Sequence, residues 1–408
     1  MAMATSLLPR PRPPSAYRFF LEPVLFLSYA VFGLSWIGYA PFLSEFQARF
    51  ALSHAQASLL ISGVSLAKIF MPFVAGGMAS RFGIARSISL GLILICASVF
   101  TPFAGSFTSL LASRLVFGLG GAMLITLIGP LVLQWFPRGE LPIVNGFNYV
   151  AVNTGISASL FITLPLAARL GQRGVLLLYA GASVALALAW MLGGRERGTA
   201  PWPLLPASRE SYGDVLRSKE TWLLALGFAG PLALYLCLNT WLPTFYGESM
   251  GMTRVESSRL TGLFNLAGIP AAILGGFLCK AMGRRKPLIL VPGILMGVSA
   301  FGLFLLHERT ALLACAAFFG ISLFLWISPV ATLAMELPGM TPQRLAKVMG
   351  VYYSVSYIAG FTAPILGGVL RDRTGSFVPG FAIFAAASWS LAICSAFLPE
   401  TGKKRITV

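Results

Sequence analysis

Residues 76–86 read GGMASRFGIAR and residues 276–286 read GFLCKAMGRRK, two glycine-framed basic stretches in the same register 200 positions apart. Each follows an apolar block long enough, at roughly 20 residues or more, to cross a bilayer as a helix. Working outward, Tyr39-Ala-Pro41 matches Trp241-Leu-Pro243, LLASRLVFG (110–118) matches LLACAAFFG (312–320), and LPIVNGFNYV (141–150) matches LAKVMGVYYS (345–354). Four correspondences in one order mark an internal duplication, and the fold follows from it.

Composition agrees. The 408 residues are 57% hydrophobic and only 11% charged, with mean hydropathy +0.80. Soluble domains carry about 25% charged residues, so lipid is the solvent for this fold. Thirty Lys and Arg against thirteen Asp and Glu give a net charge of +17. In a soluble chain that would suggest nucleic acid; in a membrane protein it reports topology, because cationic loops stay in the cytoplasm. Five cysteines scattered through apolar segments without a CxxC pair suggest neither a disulfide frame nor a metal site.

The pattern predicts an all-α polytopic membrane protein with twelve helices at about 19–46, 53–78, 87–106, 109–135, 142–169, 174–192, 221–246, 255–279, 287–306, 310–337, 345–369 and 377–398. They form a first six-helix bundle (19–192) and a second (221–398), joined by a loop at 193–220 and flanked by tails at 1–18 and 399–408. With the N-terminus inside, 20 of the 30 Lys and Arg face the cytoplasm and 8 the outside, so both termini are predicted cytoplasmic. Short loops and a tail without a targeting pattern suggest a bacterial inner membrane. Parallel six-helix repeats are a transporter arrangement in which solute sits between the halves near the midplane.

On these residues the chain resembles the major facilitator superfamily along all twelve spans. The family's loop motif G-x-x-x-D-R-x-G-x-x-[RK] is matched by Gly76, Arg81, Gly83 and Arg86, with Ser80 where the family has Asp; Gly276, Lys280, Gly283 and Arg284 form a second copy without the acid. The glycines permit a tight turn and close helix approach. The resemblance implies that the loop takes part in a charge network latching the two halves. Arg114-Leu-Val-Phe-Gly118-Leu-Gly120 is similar to the family's R-x-x-x-G-x-G motif, whereas span five lacks the G-x-x-x-G-P-x-x-G-G of drug/proton antiporters.

Charge inside a span is costly, at least about 2.5–3.5 kcal/mol, which makes Lys68 and Arg114 candidate solute contacts. Snorkelling or pairing with backbone carbonyls is the alternative for each. Asn145, Asn148, Tyr149 and Asn153 share one face of span five, facing either a cavity or another helix, and the repeat sets Tyr352, Tyr353 and Tyr357 of span eleven in the matching place. Tyr29, Trp36, Tyr39, Tyr235, Asn239 and Trp326 supply further rings and amides. No Asp, Glu or His falls mid-span: Glu22, Glu45 and Glu336 sit near helix ends. Coupling through an embedded carboxylate is therefore not expected, and facilitated diffusion or exchange fits better. No phosphate-binding glycine loop appears, so ATP drive is not expected either.

The reading is a twelve-helix secondary active or facilitative transporter of a small organic solute, an anion by preference, working by alternating access. The alternative is an organic-cation or drug carrier with an aromatic cage of Trp36, Tyr39, Trp241 and Tyr353; Trp36-Ile-Gly-Tyr39 is similar to the first span of haem- and choline-related carriers. A membrane enzyme would need a catalytic constellation, and none is visible. The expected partners are the bilayer and the solute, with a counter-solute admitted, no nucleic acid, no cofactor and no metal, in a monomer.

Overall fold

The computed structural model describes residues 16–136, 140–197, 212–340 and 342–402. Among the described residues eleven helices are long and apolar enough to cross a membrane, yet the chain crosses twelve times, because the helix Leu141–Gly193 holds two spans. Gly171 inside it has φ +68°, a conformation glycine tolerates and L side chains do not. Thr163 and Tyr179, each eight residues from Gly171, share a hydrogen bond of 2.8 Å, so the chain doubles back there.

Spans one to four are Arg18–Ile37 continued by Ala40–Phe42 and Leu43–Phe50, His54–Phe82, Ile84–Ile95 with Cys96–Phe103, and Phe107–Trp135. Spans seven to twelve are Lys219–Met250, Arg254–Met282, Pro287–Leu305, Arg309–Leu325 with Ile327–Glu336, Pro342–Thr374, and Val378–Ser388 with Ser390–Phe397. The segment expected as a plain inter-bundle loop carries one short helix, Tyr212–Arg217, against span eleven.

The duplication reappears in the caps. Ser53 opens span two and Thr253 opens span eight, each with a reciprocal side-chain capping box that satisfies helix N–H groups lipid could not. Packing repeats as well: span one lies along five and seven along eleven, two along four and eight along ten. Between bundles, span two meets span eleven and span five meets span eight. These two seams enclose the middle of the molecule.

Spans one and five approach closely because small residues face each other. A Cβ on Gly155 would run into the Ala30 carbonyl, and one on Gly33 into the Val152 carbonyl. Gly155→Val is expected to destabilise the protein by about 1–3 kcal/mol or more through overpacking, read as a lowered unfolding temperature in detergent. An unchanged midpoint would show that the contact yields.

Candidate substrate site between the bundles

Lys68 and Arg114 look alike in the sequence, and the structure separates them. Arg114 on span four is fully buried. Its Nε donates to Leu60 O (2.8 Å), one Nη to Ser35 O (3.0 Å) and the other to Trp36 O (2.8 Å). Ser35 and Trp36 close the helix Arg18–Ile37, where carbonyls run out of helical donors and Pro41 just beyond cannot supply one. A cation is favoured at such a C-terminus, and Arg114 caps it. The expected solute contacts at Arg114 and Tyr39 are thus corrected. The guanidinium is committed to backbone; the Tyr39 ring lies 4.0 Å beneath it and the Tyr39 hydroxyl donates to Thr101 Oγ1 at 2.5 Å.

Lys68 on span two is only 3% exposed. Its ammonium lies 4.0 Å from the Trp36 ring centre, 5.4 Å from Phe32 and 5.2 Å from Tyr357 of span eleven, so both bundles enclose it. Among the described residues no carboxylate pairs with it. Trp36 is held in place by its Nε1 donating to Ile61 O at 2.9 Å.

The other seam carries a polar chain. The Tyr235 hydroxyl is 2.9 Å from Asn265 Oδ1 and 3.1 Å from Asn153 Oδ1, one proton facing two acceptors. Asn265 donates to Asn239 Oδ1 at 2.9 Å, and Asn239 to Tyr235 O at 2.8 Å. Asn265 was not anticipated, although an amide within GLFNLAG is the same signal that singled out span five. Span eleven packs on span two and span five on span eight, so equivalent helices line different seams.

Other expected residues are placed as follows. Tyr29 stacks on Phe32 at 5.8 Å, and Tyr353 sits between Tyr352 and Tyr357. Trp326 is buried within the second bundle, edge-on to Phe228 at 5.5 Å. Trp241 donates to Pro364 O (2.8 Å) and packs on His54 and Phe377, so the rings of the alternative cage are not gathered. Glu22 lies near the start of the helix Arg18–Ile37, as expected, with both its oxygens buried. The side chains of Ser80, Asn145 and Tyr149 lie outside those described.

In the loop motif, Gly83 (φ +91°) and Gly283 (φ +62°) make the expected turns. Close approach at Gly76 is not found, since a Cβ there meets nothing within 4 Å, and at Gly276 it reaches only ordinary contact with Ser328. Arg81, Arg86, Lys280 and Arg284 are exposed. The acid absent from the loop comes from elsewhere. Glu196, after span six, accepts Ala85 N–H at 2.9 Å, and Glu400, after span twelve, accepts Arg285 N–H at 2.8 Å and Lys286 N–H at 3.1 Å. Partial burial works to raise the Glu400 carboxyl, but the N–H groups of Arg285, Gly402 and Lys286 prevail and hold it below the usual carboxylate range.

At the end of the molecule opposite the tails, ion pairs join the bundles. His54 Nδ1 meets Asp372 Oδ1 at 2.7 Å, and Arg254 meets Glu45 at 2.7 Å. Asp372 also accepts the backbone N–H of His54 (3.0 Å) and Ala55 (3.1 Å), so span eleven caps the N-terminus of span two across the seam. Among the described residues every ion pair between bundles lies at this end.

Residues 25–364 match the family described as Major Facilitator Superfamily. The chain belongs to that superfamily. Among its relatives, the 2-nitroimidazole transporter of Escherichia coli (strain K12) is 26% identical, covering 89% of this chain and 91% of the relative. The probable sulfoacetate transporter of Cupriavidus necator is 25% identical, over 88% of each. A bacterial homolog of the human lysosomal transporter Spinster, solved inward-facing and unoccupied, superposes with TM-score 0.77 at 18% identity, over 95% of this chain and 97% of that one. The protein is thus an integral, multi-pass member of a superfamily of solute transporters with the fold its duplication implied.

Arg114→Ala is expected to lower the unfolding temperature in detergent, costing at least about 1–3 kcal/mol for an orphaned buried group. Arg114→Lys recovers little of this, because an ammonium cannot fork between the carbonyls of two helices. Full recovery by lysine would contradict the capping role.

Proposed function

We propose that the protein carries a small organic anion by alternating access, with Lys68 as the anchor and both tails in the cytoplasm. The observation that carries this is the Lys68 ammonium, buried between the bundles without a counter-ion among the described residues. An ammonium has three donors and no acceptor, and leaving it desolvated and unpaired is costly. A solute bringing a carboxylate or sulfonate supplies the missing charge, while Asn153, Tyr235 and Tyr357 orient its polar remainder. The name of the sulfoacetate relative points the same way.

The organic-cation reading loses its support, because the Trp36 ring already holds Lys68 at 4.0 Å and the Tyr39 ring holds Arg114 at 4.0 Å. With the tails inside, the pairs His54–Asp372 and Arg254–Glu45 close the outer end. Lys68 is buried in this conformation, and rocking about the two seams would expose it to each side in turn.

The test is binding of sulfoacetate and of 2-nitroimidazole to the purified protein, measured by thermal shift, since a ligand of the folded state raises its midpoint. Sulfoacetate is expected to stabilise the wild type, and Lys68→Ala to bind it about 10- to 150-fold more weakly, the loss of one charged hydrogen bond. Stabilisation by 2-nitroimidazole alone, unchanged in Lys68→Ala, would reject the anion class. Asp372→Ala removes a helix cap worth about 0.5–2 kcal/mol. It is expected to speed labelling of a cysteine placed at Ala57 by an impermeant maleimide from outside, and unaltered labelling would remove that pair from the gate.

A further inference from the structure

His54 and Arg254 hold the same place in the repeat, each one residue after the capping side chain, Ser53 or Thr253, that opens its span. Each reaches across a seam to a carboxylate of the other bundle, His54 to Asp372 and Arg254 to Glu45. The two seams differ in what lies beside the pair. At His54 the rings of Trp241 and Phe377 pack against the imidazole at 5.4 and 5.5 Å. At Arg254 there is a cavity of about 320 Å³, at the small end of the roughly 300–1,000 Å³ typical of ligand sites.

Both bundles build this cavity. Glu45 comes from the continuation of span one, Gln172 from the turn into span six and Arg254 from the start of span eight, while Phe42, Leu164 and Val255 supply apolar wall. Its polar side is short of acceptors. Gln172 Nε2 is buried with no hydrogen-bond partner among the described residues. Arg254 gives one Nη to Glu45 Oε1 (2.7 Å) and the other to Pro41 O (2.5 Å), which engages two of its five N–H groups. A cation at the first residue of a helix works against the helix dipole, so Arg254 is not placed there for the helix. Its pair with Glu45 is substantially exposed, and such a pair contributes only about 0–1 kcal/mol. On the outer stretches of the same helices Arg49, Arg169, Arg173 and Arg259 add positive charge, against one further carboxylate, Glu256, which is paired with Arg309. A cleft of that sign concentrates anions.

We propose that this cavity is an outer entry site for a small organic anion, where a carboxylate or sulfonate accepts from Gln172 Nε2–H and Arg254 and displaces Glu45 from the guanidinium. The oxygens of the anion fill donors that the protein leaves open, and the apolar wall takes a short carbon skeleton. An organic cation would face Arg254, and a neutral polyol would meet apolar wall where its hydroxyls need partners. Glu45 and the anion are like charges competing for one cation, so binding releases one of the two ion pairs that join the bundles among the described residues. The seam at His54, packed by rings, keeps its pair, and the outer end loosens on the side that already holds the cavity.

The site stands on its own geometry; its role as an entry rests on the carrier reading above, and the experiment separates the two. The full chain with Ala168→Cys, at the exposed rim of the cavity, is placed in phosphatidylcholine nanodiscs and labelled with an impermeant maleimide, the adduct at 168 being read by peptide mass spectrometry. Sulfoacetate at ten times its dissociation constant is expected to slow labelling about tenfold, with Lys68 present or replaced by alanine. Gln172→Leu and the isosteric Gln172→Glu, each compared with its own rate without ligand, are expected to need about 10- to 150-fold more sulfoacetate for the same protection, the loss of one hydrogen bond to a charged group. No protection with Gln172 and Lys68 intact, or protection that both Gln172 variants leave unchanged, overturns the site. Protection that Lys68→Ala abolishes also overturns it, because sulfoacetate then acts only from the central site. Phosphatidylglycerol in the nanodisc that protects where sulfoacetate does not makes a lipid headgroup the occupant and overturns the entry role. Protection at 168 without a thermal shift that depends on Lys68 counts against the carrier reading and supports the outer site.

Discussion

A guanidinium that satisfies three backbone carbonyls holds the first bundle in its working shape. Lipid offers no hydrogen bonds, so a span that stops being helical part-way must find donors within the protein. Span one stops at Ile37 and resumes as a short 3-10 turn at Ala40, and Arg114 supplies the donors that make the break tolerable. The same contact immobilises the backbone of Trp36, whose indole is then fixed by Ile61 O and set over the Lys68 ammonium. One buried cation is spent on structure, and the other faces the seam with no carboxylate partner among the described residues.

The duplication explains the scaffold and not the site. Capping at Ser53 and Thr253, the helix pairings and the carboxylates Glu196 and Glu400 recur in both halves. Lys68 has no twin. Its approximate counterpart is Gly268, where a Cβ would strike the Phe324 ring, so the second bundle has no room for a charge there. It contributes Tyr235, Asn239 and Asn265 instead, a hydrogen-bonded chain in an otherwise apolar setting. Two bundles of one ancestry thus present a charged wall and a neutral polar wall, which would give a solute at the proposed site a preferred orientation.

The fold was legible because its signals are long and repeated: apolar blocks, the loop glycines and a register of about 200 residues survive divergence. Site residues were legible by type and not by role. Lys68 and Arg114 present the same cue to a hydropathy reading, and only the position of the helix end at Ile37 distinguishes them. Glu22 was set aside as a helix-end residue, since sequence position gives depth along a span and not which neighbour covers it. The pairing of span five with span eight is a tertiary choice between equivalent faces, and it brings Asn153 to Tyr235. The turn at Gly171 was readable as a break, yet a single residue sufficed where a loop of several was expected.

Charge arithmetic at the seam constrains how the cycle runs. Rocking from one open end to the other passes through a state closed at both, and in that state Lys68 is cut off from water on either side. On the proposed anion reading, carrying the ammonium through it without a counter-ion would cost at least about 2.5–3.5 kcal/mol, a term that a bound anion would remove. On the anion-carrier reading proposed above, the loaded carrier would reorient more readily than the empty one, which would favour exchange of one anion for another.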